Sequence, residues 1–488
     1  MALEMVEFSI VRTKLKSFFD KSGVVLFKSL LITGSIFYLF NIFFANQSCC
    51  QSPQLFTSLP HGWDSYARHS FSNASSTDIS HIVFGVTGSI NTWRNRRHYI
   101  EEWWQPNITR GYVWLDRIPS ELLPWSPSSP PYRVSTDTTE AFKDYNRHGM
   151  PDAIRMTRVI LEAFRESNES VRWYVITDDD TVILVENLVE LLARYDHNRY
   201  YYIGRNSESI SANDWNSFEM AFGGAAYALS YPLVKALVIN LDECIKRYPT
   251  LYGSDHILQS CIIEFGVSLT HERGFHQIDL HRNIWGFLSA HPQTPLISLH
   301  HIDVVEPIFP SMDRHQSLKH LMEAAKVDSS RLLQQTICYH KKSNWSFSIS
   351  WGYSAQIYEK ILPPSVLQRP LQTFLPWSNG ARLGFMFNTR PISNDPCEAP
   401  HVFFFGSVER ASRTQVITNY TRSWPRDLPT CLSGGNHSAD SISEIRVFSP
   451  VKRLDWVGRR ECCDIVRFLG LNITEVRVRG CKDDEIVA

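Results

Sequence analysis

Three consecutive aspartates, Asp178 to Asp180, lie close behind the apolar run Trp173–Ile176. The run is short and rich in aromatic and β-branched residues, which predicts a buried strand whose C-terminal end opens into a ligand crevice. Because side chains alternate along a strand, we expect Asp178 and Asp180 to point one way, roughly 7 Å apart, and Asp179 the other. Two such carboxylates favour one Mg²⁺ or Mn²⁺ ion that bridges a diphosphate. The alternatives are a solvated acidic turn, a calcium loop, or acids attracted to a helix N-terminus.

Strand-like and helix-like segments alternate around the triplet. Apolar patterns predict strands at 81–86, 112–116 and 200–204, and helices at 96–104, 152–164 and 184–192. This alternation predicts an α/β fold, a mostly parallel sheet covered by helices on both faces, with ligands beyond the strand ends. Beyond about residue 340, short β-rich segments between Pro- and Gly-rich turns predict a second domain, with strands at 383–387, 402–405, 445–448 and 476–479.

The N-terminal region predicts a single transmembrane helix at 24–45, interrupted only by Lys28 and Asn41. Basic residues precede it and none follows before Arg68, so the predicted tail, 1–23, is cytosolic and the rest of the chain is lumenal. Residues 46–78, rich in Ser, Gln and Asn, predict a flexible stem. A cleaved signal peptide is the competing interpretation.

Cysteine usage and charge narrow the possible classes of protein. Eight cysteines beyond the stem form an even set typical of lumenal disulfides, and lumenal exposure agrees with the Asn-X-Ser/Thr sites that begin at Asn73, Asn107, Asn168, Asn344, Asn419, Asn436 and Asn472. Zinc is the rival use of the cysteines, but they lack the paired spacing of zinc ligands. With a formal net charge of −1 over 488 residues, no broad basic surface is available for nucleic acid, so that class is set aside.

Four further features are candidates for chemistry. Gly223 and Gly224 would let the backbone approach a ligand, although a tight turn explains them equally well. Asp255 opens an apolar helical segment, where an N-cap carboxylate is the plainer interpretation. His300 and His301 offer an imidazole to a cation held by the aspartates, although a histidine is more often structural. The fourth feature is Asp116 together with Arg94, Arg96 and Arg97. These residues are candidates for contacts to the nucleotide, and the alternative is that they are only surface charge.

The ordered combination resembles the lumenal fringe-like β-1,3-glycosyltransferases. Its parts are Asp178-Asp179-Asp180-Thr181 followed by 185–188, Gly223-Gly224-Ala225, Asp255 ahead of Cys261, and the late stretch 286–303. The resemblance covers about residues 80–310, and together with the β-rich tail it looks like a plant fringe-related group whose tail has no assigned role. It implies a GT-A-type domain at 79–325 followed by a β-rich domain at 340–488.

The resemblance also implies residue roles. Asp255 would be the catalytic base, and Mn²⁺ or Mg²⁺ would be held by Asp180 with His300 or His301, and by Asp178. The residues implied to contact substrate are Asp178, Asp179, Asp116, Thr87, Arg94, Gly223 and Gly224. Two departures are Ser254, where many relatives have an acid, and Gln259, where many have Gly; they put acceptor choice and rate in question.

The implied function is that of an inverting hexosyltransferase in the Golgi membrane, single-pass and type II. It would transfer a sugar from a UDP-sugar donor to a glycan, glycoprotein or small glycoside acceptor, forming a β-1,3 linkage. The alternative is a catalytically silent protein that keeps the GT-A fold to bind glycans or to organise a partner enzyme.

Overall fold

The computed structural model describes residues 76–145, 149–150, 152–166, 169–377, 383–431, 438–451, 460–470 and 472–486. The predicted tail at 1–23, the membrane anchor at 24–45 and all of the stem before Ser76 lie outside the described residues. Within these ranges, no helix combines the length and apolarity needed to cross a membrane. The segment from Ser76 onward is one compact unit.

The first part of this unit alternates strands and helices. Its elements are β1 (Ile82–Thr87), α1 (Ile90–Glu101), β2 (Arg110–Leu115), β3 (Tyr132–Val134), α2 (Ala153–Glu166), β4 (Trp173–Asp178), β5 (Val182–Ile183), α3 (Val185–Leu192), β6 (Tyr202–Gly204), α4 (Ile210–Trp215), β7 (Tyr227–Ser230), α5 (Tyr231–Arg247), α6 (Ser254–Ile263), β8 (Leu269–His271), β9 (Phe275–His276), β10 (Leu280–Arg282), α7 (Trp285–Ala290) and β11 (Ser298–Leu299).

Seven of these strands form one twisted sheet in the order β3-β2-β1-β4-β7-β6-β8. The predicted mostly parallel sheet is a mixed sheet, because β7 runs antiparallel to both β4 and β6, while the other neighbours are parallel. Both faces are covered, as predicted. Phe84 and Val86 of β1 belong to the apolar cluster on the α1 side, whereas Val83 packs with α2 and α5. β1 is therefore buried at every position.

Helix α1 begins six residues before the predicted start at Arg96. Ser89 caps it, since its hydroxyl accepts from the backbone N–H of Thr92 while the Thr92 side chain accepts from the N–H of Ser89. The prediction missed this start because the first turn, Ile90 to Trp93, lacks the usual acidic residues. The earlier start places the first turn of α1 next to the end of β4.

The second part of the unit is β-rich, as predicted. Its elements are α8 (Arg314–Val327), β12 (Gln335–His340), β13 (Trp345–Ser350), β14 (Ser354–Tyr358), α9 (Pro364–Leu367), β15 (Phe374–Pro376), β16 (His401–Arg410), β17 (Gln415–Arg422), β18 (Glu444–Pro450), β19 (Cys462–Leu469) and β20 (Ile473–Arg479). Eight of these strands form one sheet in the order β12-β13-β14-β16-β17-β18-β20-β19.

One predicted strand is wrong: residues 383–387 are irregular and make a single bridge, from Phe385 to Ser209. Alternating polarity there reflects an extended segment that lies against the first part of the unit. The two parts also share one apolar cluster, which includes Phe84 of β1 and Phe347 of β13, and α8 packs against both α1 and β16. The division into domains at 79–325 and 340–488 remains a prediction.

All eight cysteines beyond the stem are paired, which confirms the predicted disulfides: Cys244–Cys261, Cys338–Cys463, Cys397–Cys431 and Cys462–Cys481. The bond from Cys338 to Cys463 joins β12 to β19, the two outer strands of the second sheet. This sheet therefore curls until its edges meet.

Removal of the disulfide that joins the outer strands should destabilise the protein more than removal of Cys397–Cys431. The first bond closes 125 residues and the second 34, so chain entropy predicts losses of about 5 and about 4 kcal/mol respectively. The measurement is the thermal midpoint of the Cys338→Ala/Cys463→Ala and Cys397→Ala/Cys431→Ala double variants under non-reducing conditions. A larger fall in the second variant would contradict this expectation.

Candidate active site

The acidic triplet lies where β4 leaves the first sheet. Thr87 ends the neighbouring strand β1 in register with Asp178, and its hydroxyl donates a hydrogen bond to the Asp178 carboxylate. The apolar residues of β4 are buried, and the chain turns directly after Asp178, which exposes a quarter of that side chain to the crevice. Burial raises the pKa of Asp178, and the Asp180 charge adds to the effect although His300 opposes it.

Asp180 meets His300 across 120 residues of chain. The short strand β11 pairs with both β5 and β9 and carries His300 to the triplet. His300 Nε2 lies 3.0 Å from Asp180 Oδ1 and 3.9 Å from Asp178 Oδ2. Burial alone would lower the pKa of His300, but the two carboxylates outweigh it and raise this pKa to about 9. Against the effect of burial, the same imidazole holds the pKa of Asp180 below its usual value.

The residues of this cluster fit a divalent cation. His300 Nδ1 is buried and makes no hydrogen bond, and the only partner of the buried Asp180 Oδ2 among the described residues is the Arg96 guanidinium at 3.3 Å. Donor atoms of Asp180, His300 and His301 lie within 4.8 Å of one another. Carboxylate oxygens with one imidazole suit Mn²⁺ or Mg²⁺. His301 Nδ1 is already 3.0 Å from Asp279 Oδ1, and its ring stacks on Trp377. His300 is therefore the histidine that contacts the triplet, through Nε2, while its unbonded Nδ1 faces Gly224.

The strand alternation predicted for the triplet does not apply beyond Asp178, where β4 ends, and Asp179 lies in the turn that follows. Its carboxylate accepts a hydrogen bond from Thr92 Oγ1 at 2.5 Å and lies 3.4 Å from Arg96 Nη1. Burial and the neighbouring Asp180 charge raise the pKa of Asp179 to about 7. Asp179 therefore ties the triplet to the first turns of α1.

Asp255 lies in the first turn of α6, on the wall of the same crevice. The backbone N–H of Gly223 donates to Asp255 Oδ2 at 2.7 Å. A Cβ at Gly223 would lie 2.6 Å from Asp255 Oδ1, and one at Gly224 would lie 2.2 Å from His300 Nδ1. The two glycines therefore let one backbone segment pass between the Asp255 carboxylate and the histidine.

A cavity of about 870 Å³ connects these groups. Of the residues predicted from the sequence, Asp178, Gly224, Asp255, His300 and His301 line it, and Asp180 lies directly behind His300. Lining residues that the sequence did not single out are Trp215, Tyr252, Gln277, Asp279 and Trp377. They come from loops and short elements, where no periodic pattern marks them.

Five of the predicted substrate residues lie outside the cavity lining: Thr87, Arg94, Asp116, Asp179 and Gly223. Arg94 is exposed and pairs with Glu121 at 3.0 Å. Asp116 accepts from the backbone N–H of Ile90 at 2.7 Å and from Arg117 at 2.6 Å. Their roles in binding substrate remain predictions.

The arginine that reaches the triplet is Arg96. Its guanidinium lies 2.6 Å from Asp303 Oδ2, 3.3 Å from Asp180 Oδ2 and 3.4 Å from Asp179 Oδ1. The sequence offered three arginines in this region, and no local signal separated Arg96 from the others. The guanidinium supplies a fixed positive charge behind the carboxylates.

A family model described as "Protein of unknown function, DUF604" matches residues 212–463, which is more than half of the chain. The chain belongs to this family. The DUF604 segment contains Gly223, Gly224, Asp255 and His300 together with most of the second sheet, whereas the acidic triplet precedes it.

Curated relatives agree with the resemblance found in the sequence. The chain is 28% identical to a β-1,3-glucosyltransferase of Mus musculus over 168 residues, 33% of each protein, and 29% identical to the Homo sapiens β-1,3-glucosyltransferase over 168 residues. The match spans about a third of the length of these relatives. The predicted resemblance to fringe-like β-1,3-glycosyltransferases is thereby confirmed, while the plant-related group remains a prediction.

Two solved glycosyltransferase structures are more distant. A glycosyltransferase involved in the glycosylation of the major capsid of PBCV-1 covers 50% of this chain and 98% of its own, with 13% identity and a TM-score of 0.27. The mannosyltransferase PcManGT from Pyrobaculum calidifontis, in complex with GDP-Man and Mn²⁺, covers 42% and 62%, with 12% identity and a TM-score of 0.23. Scores this low do not support any step of the argument below.

The raised pKa of Asp255 should make its contribution to stability depend on pH. Burial, with the Asp178 charge, raises the pKa of this carboxyl to about 7, against about 4 in an unfolded chain. The folded state therefore holds a proton that the unfolded chain has released between about pH 4 and pH 7, so stability falls as pH rises through that window. In metal-free protein, the thermal midpoint of Asp255→Asn relative to wild type should rise by roughly 2–4 °C from pH 5 to pH 8.

Glu243→Gln is the matched control for this experiment. Glu243 is exposed on α5 and its pKa is lowered, chiefly by a hydrogen bond from Lys246, so its difference from wild type should stay constant above pH 5. A constant difference for Asp255→Asn as well would contradict the raised pKa.

Proposed function

We propose that the protein is a GT-A-type, inverting hexosyltransferase that moves a sugar from a UDP-sugar to an acceptor hydroxyl, with a β-1,3 linkage as the expected product. The observation that carries this proposal is the convergence of Asp178, Asp180 and His300 on one part of a cavity and Asp255 on another. The similarity to β-1,3-glucosyltransferases supports the same reaction class.

In the proposed reaction, Asp255 removes the proton from the acceptor hydroxyl. The oxygen then forms a bond to the anomeric carbon as the bond from that carbon to the UDP oxygen breaks on the opposite face, so the configuration inverts. The pKa of about 7 for Asp255 is near the value that suits a base at neutral pH. The N–H of Gly223 fixes Asp255 Oδ2, and the incoming hydroxyl would approach Asp255 Oδ1, which among the described residues accepts only a long hydrogen bond of 3.4 Å from Ser254 Oγ.

Charge on the departing UDP needs compensation at the triplet. Asp180, His300 and Asp178 would hold Mn²⁺ or Mg²⁺ here, and such an ion supplies Lewis acidity that stabilises a leaving diphosphate. Arg96, which Asp303 holds by an ion pair, braces Asp180 from behind, and Thr87 orients Asp178. Gly224 lets the backbone pack directly against the His300 ring, which a side chain at this position would displace.

The cellular setting is part of the proposal. Four disulfides are typical of an oxidising compartment, which supports a lumenal, Golgi location. The apolar stretch at 24–45 supports a type II membrane anchor. The acceptor would then be a glycan, glycoprotein or small glycoside of the secretory route.

Substitutions in the metal cluster should abolish metal-dependent release of UDP from a UDP-sugar. Asp180→Asn and His300→Ala each remove a ligand, so the rate with Mn²⁺ should fall by roughly 100-fold or more. The control is Glu243→Gln, which changes an exposed carboxylate on α5 that lies outside the cavity lining. Wild-type rates in both cluster variants, across a panel of UDP-sugars, would refute the assignment.

Loss of the base should separate transfer from donor binding. Asp255→Asn keeps the hydrogen-bond acceptor for Gly223 but cannot take a proton, so kcat for transfer should fall by about 10²–10⁴-fold while the KM for the UDP-sugar changes little. The assay is product formation with mixed acceptors. Full turnover in this variant would remove Asp255 as the base, and metal-ordered UDP binding without any transfer in the wild type would favour the silent, glycan-binding alternative.

A further inference from the structure

Trp215 is the most exposed aromatic side chain of the cavity wall. It ends α4, and 73% of its surface is exposed although it lines the same cavity as Asp255. Tyr252, which immediately precedes the turn into α6, lines the cavity too and is 46% exposed. Two large aromatic side chains in water beside a candidate base call for an explanation, because such rings carry much of the binding energy where ligands are held.

The short helix that carries Trp215 is held firmly from its other side. Asn213 is fully buried; its side chain accepts from the N–H of Ser207 at 3.0 Å and donates to the carbonyl of Ser207 at 2.8 Å. Residues two apart on a helix lie on different faces, so the burial of Asn213 turns Trp215 outward. The backbone of Ile210 also donates to the carbonyl of Gly384. The indole is therefore presented on a fixed support, at little entropic cost to a ligand.

The neighbours of the indole indicate the kind of ligand. Asp214 and Asn216 flank Trp215 and line the cavity, as does Asp255. A flat apolar ring bordered by hydrogen-bond acceptors matches a pyranose, whose C–H face stacks on the ring while its hydroxyls donate to the rim. The carboxylate of Asp214, directly beside the indole, would repel an anionic sugar.

We propose that Trp215 is the platform of an acceptor subsite that takes a neutral pyranose and presents one of its hydroxyls to Asp255. This inference rests on the proposed function, because it treats the Asp255 side of the cavity as the acceptor side. It adds the chemical class of the acceptor, an uncharged sugar, and the side chain that recognises it.

Binding of simple glycosides tests the subsite without requiring transfer. The probes are the methyl β-glycosides of glucose, galactose and N-acetylglucosamine, with methyl β-glucuronide as the anionic counterpart. They are titrated by saturation-transfer NMR in the presence of UDP and Mg²⁺, which is diamagnetic. Trp215→Ala should weaken binding of at least one neutral glycoside by roughly 10- to 30-fold, the loss typical of removing an aromatic anchor. Trp215→Phe should stay within about 3-fold of wild type, because it keeps a ring.

Tyr200→Ala is the matched control, because Tyr200 is 45% exposed but lies outside the cavity lining. This variant should bind each glycoside with the affinity of the wild type. Release of UDP by the wild type is measured in parallel. If glycoside binding depends on Trp215 in a protein that releases no UDP, the subsite stands and the transferase assignment fails. Three results would overturn the subsite: no neutral glycoside binds, binding survives Trp215→Ala, or the glucuronide binds as well as the neutral sugars. If the wild type releases UDP in the same experiment, the transferase assignment survives.

Discussion

The contact between His300 and Asp180 is the constraint on which the candidate site depends. Three adjacent carboxylates at a buried strand end repel one another, and burial makes each charge more costly. The imidazole of His300 and the guanidinium of Arg96 supply the compensating positive charge, which keeps the pKa of Asp180 low while that of Asp179 rises to about 7. The cluster therefore keeps an ionised carboxylate at Asp180, next to the crevice.

The strand pairing brings His300 to Asp180. β11 is only two residues long, yet it pairs with β5 directly after the triplet and with β9, so His300 has one place to lie. The glycines complete the arrangement, because any side chain at Gly223 or Gly224 would displace Asp255 or His300. The apolar cluster shared with the second sheet holds this region as part of a larger rigid unit.

The sequence predicted well where the signal is local. The run before Asp178 has the composition of a buried strand, and the structure has a buried strand there; the strand ends at Asp178, so its side-chain period does not extend to Asp179 and Asp180. The order of Gly223, Gly224, Asp255 and the late histidines also pointed to one site, four of whose residues line the cavity.

The sequence was a weaker guide to side chains whose positions depend on long-range packing. The sequence does not distinguish the adjacent residues His300 and His301. Only the fold does so, because it pairs His301 with Asp279. Arg94 and Arg96 lie on one helix, but the helix starts earlier than its pattern suggests, which directs Arg96 to the triplet and leaves Arg94 at the surface. Residues 383–387 alternate like a strand although their partner is an irregular segment near Ser209.

The most direct test of the central claim is calorimetric titration of UDP into the full-length protein with and without Mn²⁺. If Asp180 and His300 hold a cation that receives the diphosphate, UDP should bind with Mn²⁺ present and lose at least roughly 10-fold in affinity when the metal is removed. Equal affinity in the two titrations, or no UDP binding in either, would contradict the account.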